Sequence, residues 1–96
     1  MAEYRLTPAA ERDLESIWTY TARQWGVEQA DRYIDFLTTA FAELADSPKK
    51  APSCEHIRPG FRRWRIEQHM VYLKVTDYGI AAVRVLHDRM DALSHL

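Results

Sequence analysis

Phe61-Arg62-Arg63-Trp64-Arg65-Ile66 is the stretch at which the hydrophobic period of this chain changes from 3.6 to 2. Upstream, apolar residues recur three and four apart, which lines one face of a helix. From Phe61 they alternate with arginine, which lines one face of a strand. Two further strand-like runs follow. His69 to Val75 is strongly apolar, and Ile80 to His87 is rich in β-branched residues. Glu67-Gln68 and Asp77-Tyr78-Gly79 separate the three runs. Gaps this short predict hairpins, with Gly79 at a positive-φ position.

Upstream of the meander the spacing predicts two helices. Thr7 followed by Pro8 is a helix start: a hydroxyl N-cap, then proline where its missing N–H costs nothing. Leu14, Ile17, Trp18, Thr21 and Trp25 share one face. Gly26 is a natural stop. Ala30, Tyr33, Ile34, Leu37, Phe41 and Leu44 then mark a second face, which ends at Asp46-Ser47-Pro48. So short a break makes the two helices an antiparallel hairpin. Residues 3–6 alternate as a short strand does, and 48–60 is a loop with three prolines and a glycine. The expected fold class is α+β. A short N-terminal strand and a helical hairpin pack on a small sheet in the order β-α-α-β-β-β, and a short C-terminal tail or helix follows.

On the last strand, strict alternation puts Val83 and Val85 on one face and Ile80, Ala82, Arg84 and Leu86 on the other. Both faces carry apolar side chains, so the sheet is expected to be covered twice. The hairpin is one cover; the tail or a partner protein is the other.

Ninety-six residues read as one domain, 1–96. Nearly half the residues are hydrophobic, which excludes disorder as the ground state. The single cysteine, Cys54, excludes an internal disulfide and a cysteine-based zinc site. No apolar run reaches the roughly 18 residues of a membrane span. Met1-Ala2-Glu3-Tyr4-Arg5 lacks the basic and apolar regions of a secretory signal, so the expected home is the cytoplasm. The net charge of -1 hides an asymmetry. Residues 1–48 hold four arginines against nine carboxylates; residues 49–96 hold nine lysines or arginines against five.

No cofactor or metal is expected. His56, His69, His87 and His95 lack ligand spacing. Cys54 and His56, two apart in a loop, do not make a nucleophile and base. Three turn glycines supply no phosphate cradle. One constellation carries more. Arg58, Arg62, Arg63 and Arg65 are interleaved with Phe61 and Trp64, and Arg84 comes from a nearby strand. Arginine beside aromatic rings suits phosphate and stacked bases. It suits an acidic protein segment equally, or pairing with the chain's own acidic helices. Of Trp18 and Trp25, seven apart on one helix, one is expected to line an interface.

Val83-Arg84-Val85-Leu86-His87-Asp88-Arg89-Met90-Asp91 closes the meander with a dense charged cluster. It reads either as a salt-bridged lock, with Arg89 on Asp91 or a helix carboxylate, or as a functional surface.

This segment carries a family resemblance when taken together with others. They are Tyr4-Arg5-Leu6-Thr7-Pro8-Ala9-Ala10, Asp13-Leu14 with Ile17, Tyr20, Trp25-Gly26, Ala30, Tyr33, Phe41 with Leu44, and Arg58-Pro59-Gly60-Phe61-Arg62. In this order and length the chain resembles the ParE toxins of bacterial type II toxin–antitoxin modules, in the RelE/ParE superfamily. The resemblance implies a mainly antiparallel sheet whose edge is joined by the first strand. It implies a toxin that binds and poisons DNA gyrase without being an enzyme. It also implies a hetero-oligomer with a ParD-like antitoxin, which brings a ribbon-helix-helix DNA-binding part; the toxin alone is not expected to bind DNA, or membrane. On this view Trp18, Trp25, Arg62, Arg63, Arg65 and Arg84 meet the antitoxin, and His87, Asp88, Arg89, Leu93 and Leu96 meet the target.

The same superfamily contains RelE-like ribosome-dependent mRNA endonucleases. Cleavage by a 2′-hydroxyl needs a base, an acid and cations at the phosphate; here Arg65, Arg84 and His87 stand in comparable places. The near-neutral charge favours a protein target over rRNA. A third possibility is a non-toxic member that binds its antitoxin and tunes transcription.

Overall fold

The computed structural model describes residues 2–96. Met1, part of the N-terminal stretch read above for a secretory signal, lies outside the described residues. In chain order the elements are β1 (Glu3–Leu6), α1 (Pro8–Trp25), α2 (Val27–Asp46), β2 (Phe61–Ile66), β3 (His69–Val75), β4 (Gly79–His87) and a one-turn α3 (Ala92–His95). A 3-10 turn at Pro48–Lys50 opens the long loop. Among the described residues no helix is long and apolar enough to cross a membrane.

Local chemistry sets the helix ends. Thr7 Oγ1 accepts from the Ala10 N–H at 3.1 Å, and Pro8 takes the first helical position. The same hydroxyl donates to the Val83 carbonyl at 2.7 Å, so the N-cap also ties α1 to β4. Gly26 alone joins α1 to α2, at φ 98°, a conformation that side chains with a Cβ rarely adopt. Across the hairpin, Trp18 Nε1 donates to Asp31 Oδ1 at 2.8 Å.

The sheet order is β1-β4-β3-β2. β1 runs parallel to β4, and the other pairs are antiparallel. One face lies under the hairpin, where Ile17, Leu37, Phe41 and Leu44 pack on Val71, Leu73, Ile80 and Ala82. Each of the larger side chains among these contributes about 1.5–3 kcal/mol on burial, which is what holds the two layers together. On the opposite face Cys54, Phe61, Tyr72 and Leu86 form a second cluster against Ile57, Ala92 and Leu96. The second cover is therefore the chain's own: its tail, and the loop before β2.

The alternation expected along β4 breaks at one point. Tyr72 pairs with Arg84 and Leu73 with Ala82, so Val83 is an extra residue, a β-bulge. The bulge flips the parity of the strand beyond it. Ile80, Ala82 and Val85 face the hairpin, while Val83 and Leu86 face the tail. Val83 and Val85 do not share a face, nor do Ala82 and Leu86.

β1 covers β4 only from Gly79 to Ala82. Past that point side chains replace a strand. Thr7 takes the Val83 carbonyl, and Asp13 Oδ2 accepts the Val85 N–H at 2.9 Å. Buried backbone groups must find partners, and this one brings a carboxylate to the middle of the fold.

Candidate functional site

Asp13 also receives Arg84. Nε reaches Oδ2 at 2.7 Å and Nη2 reaches Oδ1 at 2.8 Å, a two-pronged fork. The Arg84 side chain is 20% exposed and that of Asp13 14%. These hydrogen bonds, and the charge behind them, hold the guanidinium pKa above its ordinary value. Arg84 Nη1 donates to the His95 carbonyl at 2.7 Å. One arginine thus joins α1, β4 and α3. A second tail carbonyl, that of Leu96, is held by Arg58.

At the neighbouring end of the sheet His69 and His87 stand opposite one another in register, with ring centroids 5.5 Å apart. Tyr33 Oη lies 2.6 Å from His69 Nδ1. Burial lowers the His69 pKa and the nearby His87 adds to the effect. Burial likewise raises that of Tyr33, with the Glu67 carboxylate adding. His87 Nδ1 is 3.1 Å from Asp88 Oδ1, and Arg65 Nη2 donates to Asp88 Oδ2 at 2.7 Å. The cluster is two polar groups, Tyr33–His69 and His87–Asp88–Arg65, that meet at the edge-to-face contact of the two imidazoles.

This cluster forms part of the floor of an open groove of about 1100 Å³ between α1, α2 and the ends of β3 and β4. The volume is at the upper edge of small-ligand cavities, about 300–1,000 Å³. Its walls carry large apolar side chains that the fold leaves in water: Trp25 (73% exposed), Tyr20 (66%), Phe36 (52%) and Met90. A contiguous exposed apolar surface on so small a protein marks a place where another molecule sits.

The structure distributes the residues singled out in the sequence. Trp18 is half-buried and committed to Asp31, whereas Trp25 stands exposed on the groove. The arginines do not make one cationic side. Arg63 and Arg65 share the Phe61 face, Arg62 shares the Trp64 face and donates to the Ala51 carbonyl, and Arg84 turns to α1. Strand alternation and the bulge split the set. The closing segment is a salt-bridged cap, but with other partners than expected. The pairs are Arg65–Asp88 and Arg84–Asp13, while Asp91 caps α3 through the Leu93 N–H and Ser94 Oγ. Arg89 makes no ion pair among the described residues. Leu96 packs into the second cluster, and Leu93 is 67% exposed.

Sequence reasoning missed Asp13 and Tyr33 as parts of a site, and it missed Tyr20, Phe36 and Met90 as a surface. A signal for the surface existed. Tyr20 and Phe36 are aromatic yet lie off the apolar stripes of their own helices, where a side chain facing water has no core to meet. No comparable signal marks Asp13, whose partners lie 71 and 72 residues away.

The fold is that of a chain in the solved structure described as "Chromosomal ParDE TA system from P. aeruginosa". The TM-score is 0.78, over 91% of this chain and 96% of that one, at 19% identity. A family model described as "ParE toxin of type II toxin-antitoxin system, parDE" matches residues 4–92. Toxin ParE1 of Mycobacterium tuberculosis is 43% identical over 91 residues, covering 94% of this chain and 93% of the relative. Toxin ParE1 of Caulobacter vibrioides is 38% identical over 96 residues, covering 100% and 99%. The chain belongs to the ParE toxin family of type II toxin–antitoxin systems.

Proposed function

We propose that this toxin arrests growth by binding and poisoning DNA gyrase, in the cytoplasm and without catalysis of its own. A ParD-like antitoxin with a ribbon-helix-helix DNA-binding part neutralises it by folding across its surface. The observation that carries the reading is the commitment of the arginines. Arg84 is held by Asp13 and the His95 carbonyl, and Arg65 by Asp88. An RNA-cleaving site needs such cations free at the phosphate. Here the free surface is apolar and aromatic, the composition of surfaces that meet protein.

Purified toxin added to gyrase and relaxed plasmid should yield cleaved or incompletely supercoiled DNA, and pre-mixed antitoxin should abolish the effect. Normal supercoiling at toxin excess, with mRNA cleaved on ribosomes, would replace this reading by the endonuclease one, with Arg65, Arg84 and His87 as its residues.

A further inference from the structure

We infer that His69 and His87 form a two-histidine site for a late first-row divalent metal ion of the Zn²⁺, Ni²⁺ and Cu²⁺ type, open to water at the ends of β3 and β4. The inference is independent of the toxin's target and of the protein that neutralises it.

Sheet register makes the pair. The two histidines are far apart in sequence, yet they stand directly opposite one another on β3 and β4. The Asp88 N–H donates to the Gln68 carbonyl at 2.9 Å, which makes Gln68 and Asp88 a hydrogen-bonded pair. The next pair inward, His69 and His87, is therefore of the other kind, with Cα atoms about 4.5 Å apart and side chains at their closest. Two imidazoles on one tetrahedral ion, each nitrogen about 2.0–2.1 Å from it, hold their ring centroids about 5 Å apart. Here the centroids are 5.5 Å apart, so a small tilt of the rings admits an ion.

Each ring is held at one nitrogen and free at the other. His69 Nδ1 lies 2.6 Å from Tyr33 Oη, and His87 Nδ1 lies 3.1 Å from Asp88 Oδ1. Neither Nε2 has a hydrogen-bond partner among the described residues. A metal-binding imidazole donates its other N–H to a carboxylate or similar acceptor, which fixes the tautomer and the ring. Asp88 is that acceptor for His87, and Arg65 pins the carboxylate by its second oxygen. The Tyr33 hydroxyl, which can donate or accept, serves His69. His87 Nδ1 also lies within reach of the Arg89 N–H, at 3.2 Å; an ion on Nε2 selects the tautomer that donates to Asp88 instead.

Protonation and charge suit a cation. Metal binds the neutral imidazole, and burial together with the nearby His87 lowers the His69 pKa. The groups around the pair are Tyr33 from α2, Asp13 from α1, Arg65 from β2, Arg84 from β4, Glu67 from the β2–β3 turn and Asp88 beyond β4. Three carboxylates there stand against two guanidiniums. Among the described residues no third histidine, cysteine or carboxylate joins the pair as a ligand. Water therefore completes the coordination, as in an open site. Two imidazoles select late transition ions over Mg²⁺ and Ca²⁺, which take oxygen ligands.

Calorimetric titration of the untagged chain near neutral pH should show one site for Zn²⁺ and for Ni²⁺, and none for Mg²⁺. At free Ni²⁺ about one hundred times its measured dissociation constant, Tm should rise by about 10 °C. Acidification to about pH 5.5 should release the ion as the imidazoles protonate. His69→Gln and His87→Gln should each weaken binding by about tenfold or more, and His56→Gln with His95→Gln should leave it unchanged. Tyr33→Phe and Asp88→Asn, which remove only the groups behind the ligands, should each weaken it about tenfold.

A histidine substitution also alters the strand that carries it. Pulsed EPR of the Cu²⁺-loaded parent chain avoids this by counting the ligands directly, and it should find two imidazoles on the ion. No binding of Zn²⁺ or Ni²⁺ at about 1 mM would overturn the inference, as would Mg²⁺ binding equally well. So would one imidazole or none on Cu²⁺, or an affinity unchanged in both His69→Gln and His87→Gln.

Discussion

Asp13→Ala is the substitution that the fold should tolerate least among polar residues. The carboxylate closes the uncovered edge of β4 and receives both prongs of Arg84. Removing one member of a fully buried pair costs about 3–5 kcal/mol, because the other charge stays behind unpaired; this pair is only partly buried. An orphaned Val85 N–H adds about 1 kcal/mol. Arg84 keeps the His95 carbonyl and is 20% exposed, so part of the guanidinium can turn to water. The pair then contributes about 2 kcal/mol, below the fully buried range, and the total comes to about 3 kcal/mol. Against a total stability of about 5–15 kcal/mol, that is a large fraction. For a chain of this size each kcal/mol moves the midpoint by about 4–8 °C, so Tm should fall by ~15 °C. Asp13→Asn, which keeps an acceptor for Val85, should cost about half as much. Urea denaturation followed by tryptophan fluorescence measures both, and a cycle with Arg84→Met isolates the pair. A coupling of about 2 kcal/mol is expected. The reasoning is wrong if Asp13→Ala stays within about 0.5 kcal/mol of the parent, or if the two substitutions simply add.

Gly79→Ala should cost more than about 2 kcal/mol, because φ is 142° and a Cβ would lie 2.1 Å from the Glu3 carbonyl oxygen, driving β1 off β4; loss of protection in residues 3–6 by hydrogen exchange reads this directly. Burial sets the His69 pKa below its ordinary value of about 6.5, so between the two values the unfolded chain binds more protons. Stability should be full above about pH 6.5, fall as the pH drops through that window and level off below the folded-state value; His69→Gln should remove this component, and an unchanged pH slope in that variant would exclude the assignment. Trp25→Ala should change stability by less than about 0.5 kcal/mol, as an exposed side chain does. The same variant should weaken antitoxin binding by more than about 1 kcal/mol in calorimetry, as loss of an aromatic anchor does.

The elements were legible in the chain because each is specified by neighbours in sequence. The two apolar stripes, the Thr7-Pro8 start, the Gly26 break and the change of period at Phe61 define both long helices and the three strands of the meander. Gly79 was legible as a positive-φ residue, though not as the point where β1 comes so close that a Cβ has no room. The closing charged segment was legible as either a salt-bridged lock or a functional surface, and the partners of its ion pairs were not legible.

Local pattern could not supply the features that depend on distance in the fold. The bulge at Val83 belongs to the pairing of β3 with β4, and it reverses the faces of the residues beyond it. Asp13 looks like any helix carboxylate until β1 proves too short to cover β4 and a side chain must satisfy Val85. The arginine run looks like one cationic surface until alternation and ion pairing divide it. The groove is lined by residues of both helices and of the ends of β3 and β4, and no periodicity within either helix encodes the space between them. Periodicity reports which side of an element is apolar; only the assembled layers decide which of those sides finds a neighbour and which is left for another protein.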